Sequence, residues 1–163
     1  MAMQGKNTRH GQYTPVFPEK CMNLTVLKSK PTWRSKWEAT VFRALDTNEV
    51  VLKWGSELPS CIIEYISPID RQKHRYFPDF YVEIVNRAGT IDRWVVEVKP
   101  LEECSPPERP KRNTENARKQ FAVKMQTWLV NEAKWKAAKP EFAKRGIRFM
   151  VATQDTIYKK LTT

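Results

Sequence analysis

The sequence predicts an α/β domain in which helices flank a mixed β-sheet. Three observations lead to this prediction: a capped amphipathic helix near residue 35, two alternating apolar segments typical of a hairpin, and a long helix followed by a last strand. The chain has 163 residues, of which 40% are hydrophobic, and this is enough for one buried core. We therefore expect a single domain over residues 32–163, preceded by an irregular N-terminal arm.

The predicted arm covers residues 1–31, which show no regular apolar spacing. Glycines and prolines, including Gly5, Pro15 and Pro31, interrupt this segment, and most of its charged residues are basic. Such a composition is typical of irregular structure. We expect the arm to lie over the domain or over a partner.

The first helix is predicted to begin after Ser35 and to end near Asp46. Ser35 and Glu38 have the spacing of a capping box, in which each side chain binds a free backbone N–H group. Glu38 also falls within the apolar stripe of the helix, where an ionised carboxylate needs a partner or a cation. Whether Glu38 only caps the helix or belongs to a site is left open. The stripe consists of Trp37, Val41, Phe42, Ala44 and Leu45.

Three strands are predicted after this helix, at Ser60–Ile66, Tyr76–Val85 and Ile91–Lys99. The last two are separated by five turn-forming residues, so we expect them to form a hairpin. Pro100 should end the sheet, because proline cannot donate a ladder hydrogen bond.

A long helix and a last strand complete the predicted fold. Thr114 can cap a helix that runs to about Lys139, and Pro140 suits the first turn of a short helix that ends at Gly146. Ile147–Ala152 is predicted to be the last strand. The residues of the long helix that are expected in the core are Phe121, Met125, Trp128, Leu129 and Trp135.

The hairpin register predicts an acidic site. If Val85 pairs with Ile91, Asp79 lies opposite Glu97, and Lys99 projects from the same face as Glu97. Two carboxylates directly opposite each other on neighbouring strands repel each other unless a cation lies between them. Mg²⁺ prefers oxygen ligands and often takes only one or two carboxylates. The pattern therefore predicts metal-assisted hydrolysis of a phosphodiester, with Lys99 orienting water or balancing the phosphate charge.

Composition limits the other possibilities. Two histidines and three well-separated cysteines provide neither a zinc site nor a disulfide framework. The net charge of +11 favours nucleic acid as the partner, with a membrane surface as the alternative. No apolar run is long enough to span a membrane and no signal segment precedes the domain, so we expect a soluble protein made in the cytosol.

Five basic residues are candidates for DNA contacts. Arg109, Lys111 and Arg112 lie in a proline-rich loop and could bind the phosphate backbone, although a solvated loop is the alternative. His74 and Arg75 precede the acidic site and are further candidates. For His74 a purely structural role is the alternative.

Two short segments resemble a known superfamily. Phe77-Pro78-Asp79-Phe80 and Val96-Glu97-Val98-Lys99-Pro100 are similar to the Pro-Asp … Glu-x-Lys signature of the PD-(D/E)XK nucleases, many of which also carry a glutamate where Glu38 stands. Further segments resemble the head completion nuclease family of tailed phages. They are Trp33–Glu38, Leu45–Asn48, Val51–Glu57, Tyr65–Pro68, His74–Phe80 and Asn131–Ala138.

The resemblance implies a restriction-endonuclease-like αβββαβ core and a DNA endonuclease activity. Its implied catalytic residues are Glu38, Asp79, Glu97 and Lys99. Its implied metal is Mg²⁺, with Mn²⁺ as a substitute, held by Asp79, Glu97 and the carbonyl group of Val98.

The resemblance also implies partners and a place of action. The implied partners are double-stranded DNA and the head, portal or neck proteins of a phage. The implied places of action are the virion and, during assembly, the host cytoplasm. No membrane is implied, and whether the protein forms a homo-oligomer is left open. One alternative is a non-catalytic component of the head or portal vertex that binds the DNA end. Another is a transposon-end nuclease, because such enzymes share the Tyr-x-Pro-Asp-Phe and Glu-x-Lys segments.

Overall fold

The structure is a computed structural model that describes residues 10–153 and 155–156. In these residues it contains eight strands, three α-helices and three single turns of 3₁₀ helix. The helices are α1 (Met22–Thr25), α2 (Lys36–Thr47) and α3 (Glu115–Lys144). The strands are β1 (Gly11–Gln12), β2 (Thr32–Trp33), β3 (Val51–Ser56), β4 (Ile63–Ile66), β5 (Lys73–Tyr76), β6 (Phe80–Val85), β7 (Ile91–Val98) and β8 (Arg148–Ala152).

The central sheet has four strands in the order β3-β6-β7-β8. β3 pairs with β6, and β6 with β7, in antiparallel orientation, whereas β8 pairs with β7 in parallel. Two small two-stranded sheets, β1-β2 and β4-β5, lie outside the central sheet. The predicted α/β class with a mixed sheet is confirmed, and the order α2, β3, β6, β7, α3, β8 is the predicted αβββαβ core.

Helix α2 forms as the sequence predicts. The hydroxyl group of Ser35 accepts a hydrogen bond from the backbone N–H of Glu38 at 3.1 Å, so Ser35 is the N-cap. The helix buries Val41, Phe42 and Leu45 against the sheet. Local capping and helical apolar spacing are therefore sufficient to locate this element.

The hairpin of β6 and β7 has the predicted register. Val85 pairs with Ile91, and Glu83 pairs with Arg93. Gly89 has a φ of 77°, a left-handed conformation that glycine adopts without strain at this turn. β7 ends at Val98, two residues before Pro100.

The first strand of the central sheet is β3, whereas the sequence predicted Ser60–Ile66. Only Ile63–Ile66 of that segment is a strand, and it pairs with β5 outside the central sheet. In β3 a register shift between Val51 and Lys53 turns two successive residues outward. This bulge breaks the period-two pattern by which a strand is recognised, so the sequence did not indicate it.

The predicted strand Tyr76–Val85 is two strands. β5 ends at Tyr76 and β6 begins at Phe80, with the buried Pro78 between them. Proline has no N–H to donate and therefore interrupts the pairing. The other residues of β5 are charged or polar and exposed, which explains why no apolar alternation indicated this strand.

Helix α3 is continuous from Glu115 to Lys144, and the predicted break at Pro140 is wrong. Pro140 is exposed, and the buried residues Ala138 and Phe142 hold the helix on either side of it. This packing offsets the hydrogen bond that a proline removes from a helix interior. As predicted, Gly146 follows the end of the helix, with a φ of 68° and Schellman-type bonds from Gly146 and Ile147 to the last turn.

The two faces of the central sheet carry separate cores. On one face, Phe42 of α2 packs with Trp54 and Phe80. On the other, α3 packs through Ala138 and Phe142 against β8 and the β4-β5 hairpin. The apolar residues of α3 that were predicted to be core are not buried: Leu129 is exposed, and the others are half-buried, namely Phe121, Met125, Trp128 and Trp135. The buried residues of α3 are Asn131, Ala138 and Phe142, which all lie in its second half.

Residues 10–31, which the sequence assigns to an irregular arm, lie against the core that contains Phe42, Trp54 and Phe80. Cys21 is fully buried, and its backbone forms an isolated parallel β-bridge with that of Trp54. Asn23 donates to and accepts from the backbone of Ser56, both at 2.9 Å. The predicted irregularity of residues 1–9 lies outside the described residues. No helix in the described part of the chain is both long and apolar enough to cross a membrane.

Candidate active site

Asp79 lies directly before β6 and follows the buried Pro78. Its Oδ2 atom accepts a hydrogen bond from the backbone N–H of Val98 at 2.8 Å. Burial, and next the charge of Glu97, raise the pKa of Asp79 well above its ordinary value. The carboxyl group is therefore held in place next to a second acid, as the hairpin register predicts.

Glu97 is a buried charged residue, with 6% of its surface exposed. It lies near the end of β7, and its two oxygen atoms have different partners. Oε2 accepts a hydrogen bond from the hydroxyl group of Tyr76 at 2.8 Å, and Oε1 lies 3.2 Å from Nζ of Lys99. Burial and the adjacent Glu97 charge raise the pKa of Tyr76, so the hydroxyl group remains a donor.

Lys99 follows β7 directly, and 24% of its side chain is exposed. Its backbone N–H donates to the carbonyl oxygen of Ala152 at 2.9 Å, which extends the pairing with β8 by one residue. In an extended strand successive residues direct their backbone groups to opposite sides, and the N–H and C=O of one residue point the same way. The carbonyl of Val98 therefore points to the side on which its N–H meets Asp79.

A cavity of about 150 Å³ opens beside Asp79, between β6, β7 and the start of α2. Glu38 lines this cavity, and its Oε2 atom accepts a hydrogen bond from the backbone N–H of Arg34 at 2.6 Å. Glu38 thus both closes the first turn of α2 and faces the cavity that contains Asp79. The other charged residues of the lining are Arg34, Glu57 and Lys99.

Lys134 is a charged residue near the site that the sequence analysis did not single out. It lies on α3, with Nζ at 5.6 Å from the ring centre of Tyr76 and 5.8 Å from that of Tyr65. Burial lowers the pKa of Lys134, while the negative charge of Glu97 acts in the opposite direction. The sequence did carry one signal, because Lys134 lies in Asn131–Ala138, one of the segments that resemble the head completion nuclease family.

Tyr76 is the second neighbour that sequence reasoning missed. The sequence predicts it to be the first residue of a long strand, whereas in the structure it ends β5. Its hydroxyl group meets Glu97 only because the β4-β5 hairpin packs beside the central sheet. No local pattern could indicate this contact.

The residues predicted to bind DNA lie outside this cluster. His74 is exposed and its Nε2 lies 2.7 Å from Oδ2 of Asp70, while Arg75 lies over the ring of Phe77 at 5.5 Å. The loop residues Arg109, Lys111 and Arg112 are exposed between β7 and α3. Their role in binding DNA remains a prediction. The structure brings Asp79, Glu97, Lys99 and Glu38 to one end of the sheet.

Comparison with known proteins connects this site with a family of nucleases. Residues 48–154 match the model of the TnsA-like endonuclease N-terminal domain, a stretch that includes Asp79, Glu97 and Lys99. The head completion nuclease of Enterobacteria phage T4 is 39% identical over 126 residues, which are 77% of this chain and 80% of that protein. The mixed sheet with its helices is consistent with a restriction-endonuclease-like fold. The chain therefore belongs to the TnsA-like endonuclease family.

Proposed function

We propose that this protein is a metal-dependent DNA endonuclease that acts in phage head completion after the genome has been packaged. The observation that carries the proposal is the meeting of Asp79, Glu97 and Lys99 at one end of the sheet. Two neighbouring carboxylates with a lysine beside them suit hydrolysis of a phosphodiester.

The donor set fits Mg²⁺, with Mn²⁺ as a substitute. Asp79 and Glu97 offer carboxylate oxygens, and the carbonyl of Val98 points to the side of β7 on which its N–H binds Asp79. In the described part of the chain no three His, Cys, Asp or Glu side chains form a metal cluster. Mg²⁺ needs only one or two carboxylates, with water and phosphate as further ligands. When bound, the ion would lower the pKa of a water molecule and stabilise charge on the phosphate.

The protein itself supplies the positions of the reacting groups. The N–H of Val98 orients the carboxylate of Asp79, and the hydroxyl group of Tyr76 orients that of Glu97. Lys99 has a side chain that is 24% exposed and can orient the attacking water or balance the phosphate charge. Glu38 contributes a further carboxylate to the lining of the cavity.

Double-stranded DNA is the proposed substrate. The net charge of +11 favours a polyanion, and His74, Arg75, Arg109, Lys111 and Arg112 are exposed for contacts with its phosphates. The role in head completion rests on the similarity to a protein of that name. It implies head, portal or neck proteins as partners and the virion as the place of action.

The family match also favours a second candidate, a nuclease of the transposon-end type. Such an enzyme would use the same residues for the same hydrolysis, and the two candidates differ in partner and DNA target. Cleavage that requires a partner recombinase would favour this second candidate.

The proposal is tested by the cleavage of plasmid DNA. We expect the purified protein to nick or linearise plasmid in Mg²⁺ and to lose this activity in EDTA. Lys99→Ala and Asp79→Asn should each lower the cleavage rate by about a thousandfold, because each removes a group that acts on the reacting phosphate or its metal.

Circular dichroism would show whether these variants fold as the unchanged protein does. If the unchanged protein cuts no more than Asp79→Asn on supercoiled, linear and branched DNA, the enzyme proposal is wrong. The protein would then be a non-catalytic component that binds the DNA end.

A further inference from the structure

The cavity beside Asp79 is unfavourable for an anion. Its lining includes the carboxylates of Glu38, Glu57 and Asp79, but only two basic side chains, those of Arg34 and Lys99. Glu97, which lies beside Lys99, adds another negative charge nearby. A phosphate that enters the cavity therefore needs every available positive charge, and Arg34 is the one not already assigned a role.

The guanidinium group of Arg34 is held by Glu57. Nη1 lies 2.6 Å from Oε1 of Glu57, and Nη2 lies 3.1 Å from Oε2, so the two planar groups meet through two parallel hydrogen bonds. The side chains are 65% and 44% exposed, respectively. Water competes with an ion pair of this exposure, which makes it easy to replace.

The backbone of Arg34 is fixed although its side chain is exposed. Its N–H group donates to Glu38 at 2.6 Å, at the start of α2. The hydrogen bonds to Glu57 and the negative charge of that residue, and then the charges of Glu38 and Asp79, raise the pKa of Arg34, so the guanidinium carries its charge at any working pH. A fixed backbone with a permanently charged, exposed head is suited to binding a phosphate.

Glu57 is coupled to Asp79 through the backbone. It follows β3 with a φ of 48°, a left-handed conformation that is uncommon for glutamate. Its N–H group donates to the carbonyl oxygen of Asp79 at 3.1 Å. The ion pair of Arg34 and Glu57 therefore lies directly beside the predicted catalytic acid.

We propose that Arg34 binds a DNA phosphate at this cavity and that Glu57 occupies its guanidinium group until DNA enters. The carboxylate of Glu57 and a phosphate offer the same two-oxygen geometry, so the phosphate replaces the carboxylate without a change in the position of Arg34. This inference deepens the proposed function and rests on it. It makes Arg34 a substrate-binding residue and makes Glu57 a competitor of the phosphate for Arg34.

A purely structural ion pair is the other explanation, and it predicts the opposite sign for one variant. If the pair only ties α2 to the end of β3, removing either partner loosens the cavity and weakens DNA binding. If Glu57 competes with phosphate, its removal frees Arg34 and strengthens binding. The sign of the effect at Glu57 therefore distinguishes the two explanations.

The test measures the binding of a fluorescent DNA duplex by anisotropy in EDTA, so that it does not depend on cleavage. Arg34→Ala should weaken binding about tenfold and make its salt dependence shallower by about one unit. Glu57→Gln should strengthen binding about threefold, because it removes the competing charge and keeps the shape. Glu141→Gln is the matched control, since it removes the same charge from another exposed Arg–Glu pair at the end of α3.

The inference is supported if Arg34→Ala weakens binding and Glu57→Gln strengthens it beyond the effect of Glu141→Gln. It is overturned if Glu57→Gln binds DNA no more tightly than Glu141→Gln, or if Arg34→Ala binds as the unchanged protein does. Arg34→Lys keeps the charge without the planar fork, so it should restore only part of the affinity if Arg34→Ala is poorly folded. A protein that shows this binding pattern without cutting DNA in Mg²⁺ would refute the enzyme proposal and leave the role of Arg34 intact.

Discussion

Two regions of this protein bury acidic side chains, and the contacts of these side chains differ. At the end of α2, Asp46 is fully buried. Its oxygen atoms accept hydrogen bonds from the hydroxyl group of Tyr13 at 2.9 Å and from the N–H groups of Val16 at 2.6 Å and Phe17 at 3.2 Å. Where β6 begins and β7 ends, Asp79 has one N–H donor and a second carboxylate nearby.

The difference distinguishes an acid with a structural role from a pair of acids suited to chemistry. Neutral donors satisfy Asp46 on both oxygens, and they attach residues 13–17 to α2. Asp79 and Glu97 repel each other, so binding of a cation or a proton stabilises their region. Unfavourable placement of like charges is a feature of functional sites, and satisfied hydrogen bonds are a feature of structural ones.

The largest expected effect on stability comes from Asp46→Asn. The amide keeps the shape but cannot accept from all three donors, so we expect the free energy of unfolding to fall by about 2–4 kcal/mol. Urea denaturation measures this loss. Cleavage per folded molecule should stay unchanged.

Asp79→Asn is the matched control for this prediction, because it makes the same chemical change in the other acidic region. It removes a repulsion, so the free energy of unfolding should stay level or rise while cleavage is lost. An equal loss of stability in both variants would contradict the distinction between the two regions.

The next largest effect is expected for the tyrosine that orients Glu97. Tyr76→Phe removes its buried hydroxyl donor and leaves one oxygen of Glu97 without this partner. We expect the cleavage rate in Mg²⁺ to fall about tenfold, since a misplaced carboxylate binds the metal less well.

Tyr13→Phe removes the corresponding donor from Asp46 and is the control. It should lower the free energy of unfolding by about 1 kcal/mol and leave the cleavage rate unchanged. If Tyr13→Phe slows cleavage as much as Tyr76→Phe, the tyrosines do not distinguish the two regions.

The smallest expected effect concerns Lys134, whose positive charge would repel a metal ion bound beside Glu97. Lys134→Met should lower the Mg²⁺ concentration for half-maximal cleavage about threefold, because a repelling charge is removed. A Mg²⁺ titration of the cleavage rate measures this. Lys136→Met, an exposed lysine on the same helix, is the control and should have no effect; equal shifts in both variants would exclude a local role for Lys134.

Much of the site was predictable because its central pair is local. The period-two alternation of β6 and β7 predicts which residues face each other, and the five-residue turn determines the register. These two rules place Asp79 opposite Glu97 without any tertiary information. The capped start of α2, with Glu38 in its first turn, follows from a four-residue pattern.

Other features were not predictable because packing decided them against local preference. The bulge in β3 removed the alternation that would have indicated the first strand of the sheet. Pro140 is a strong local signal for a new helix, yet α3 continues through it because Ala138 and Phe142 pack on the sheet. In both cases long-range contacts outweigh a local signal.

The amino-acid sequence by itself determined the α/β class, the hairpin register and the acidic pair, since each depends on residues near one another in the chain or on a simple period. Only the tertiary structure decided that Tyr76 meets Glu97, that Lys134 approaches the same site, and that Arg34 and Glu57 pair beside Asp79. These residues come from separate helices, strands and loops. Their distances depend on how whole elements pack, and no pattern along one element contains that information.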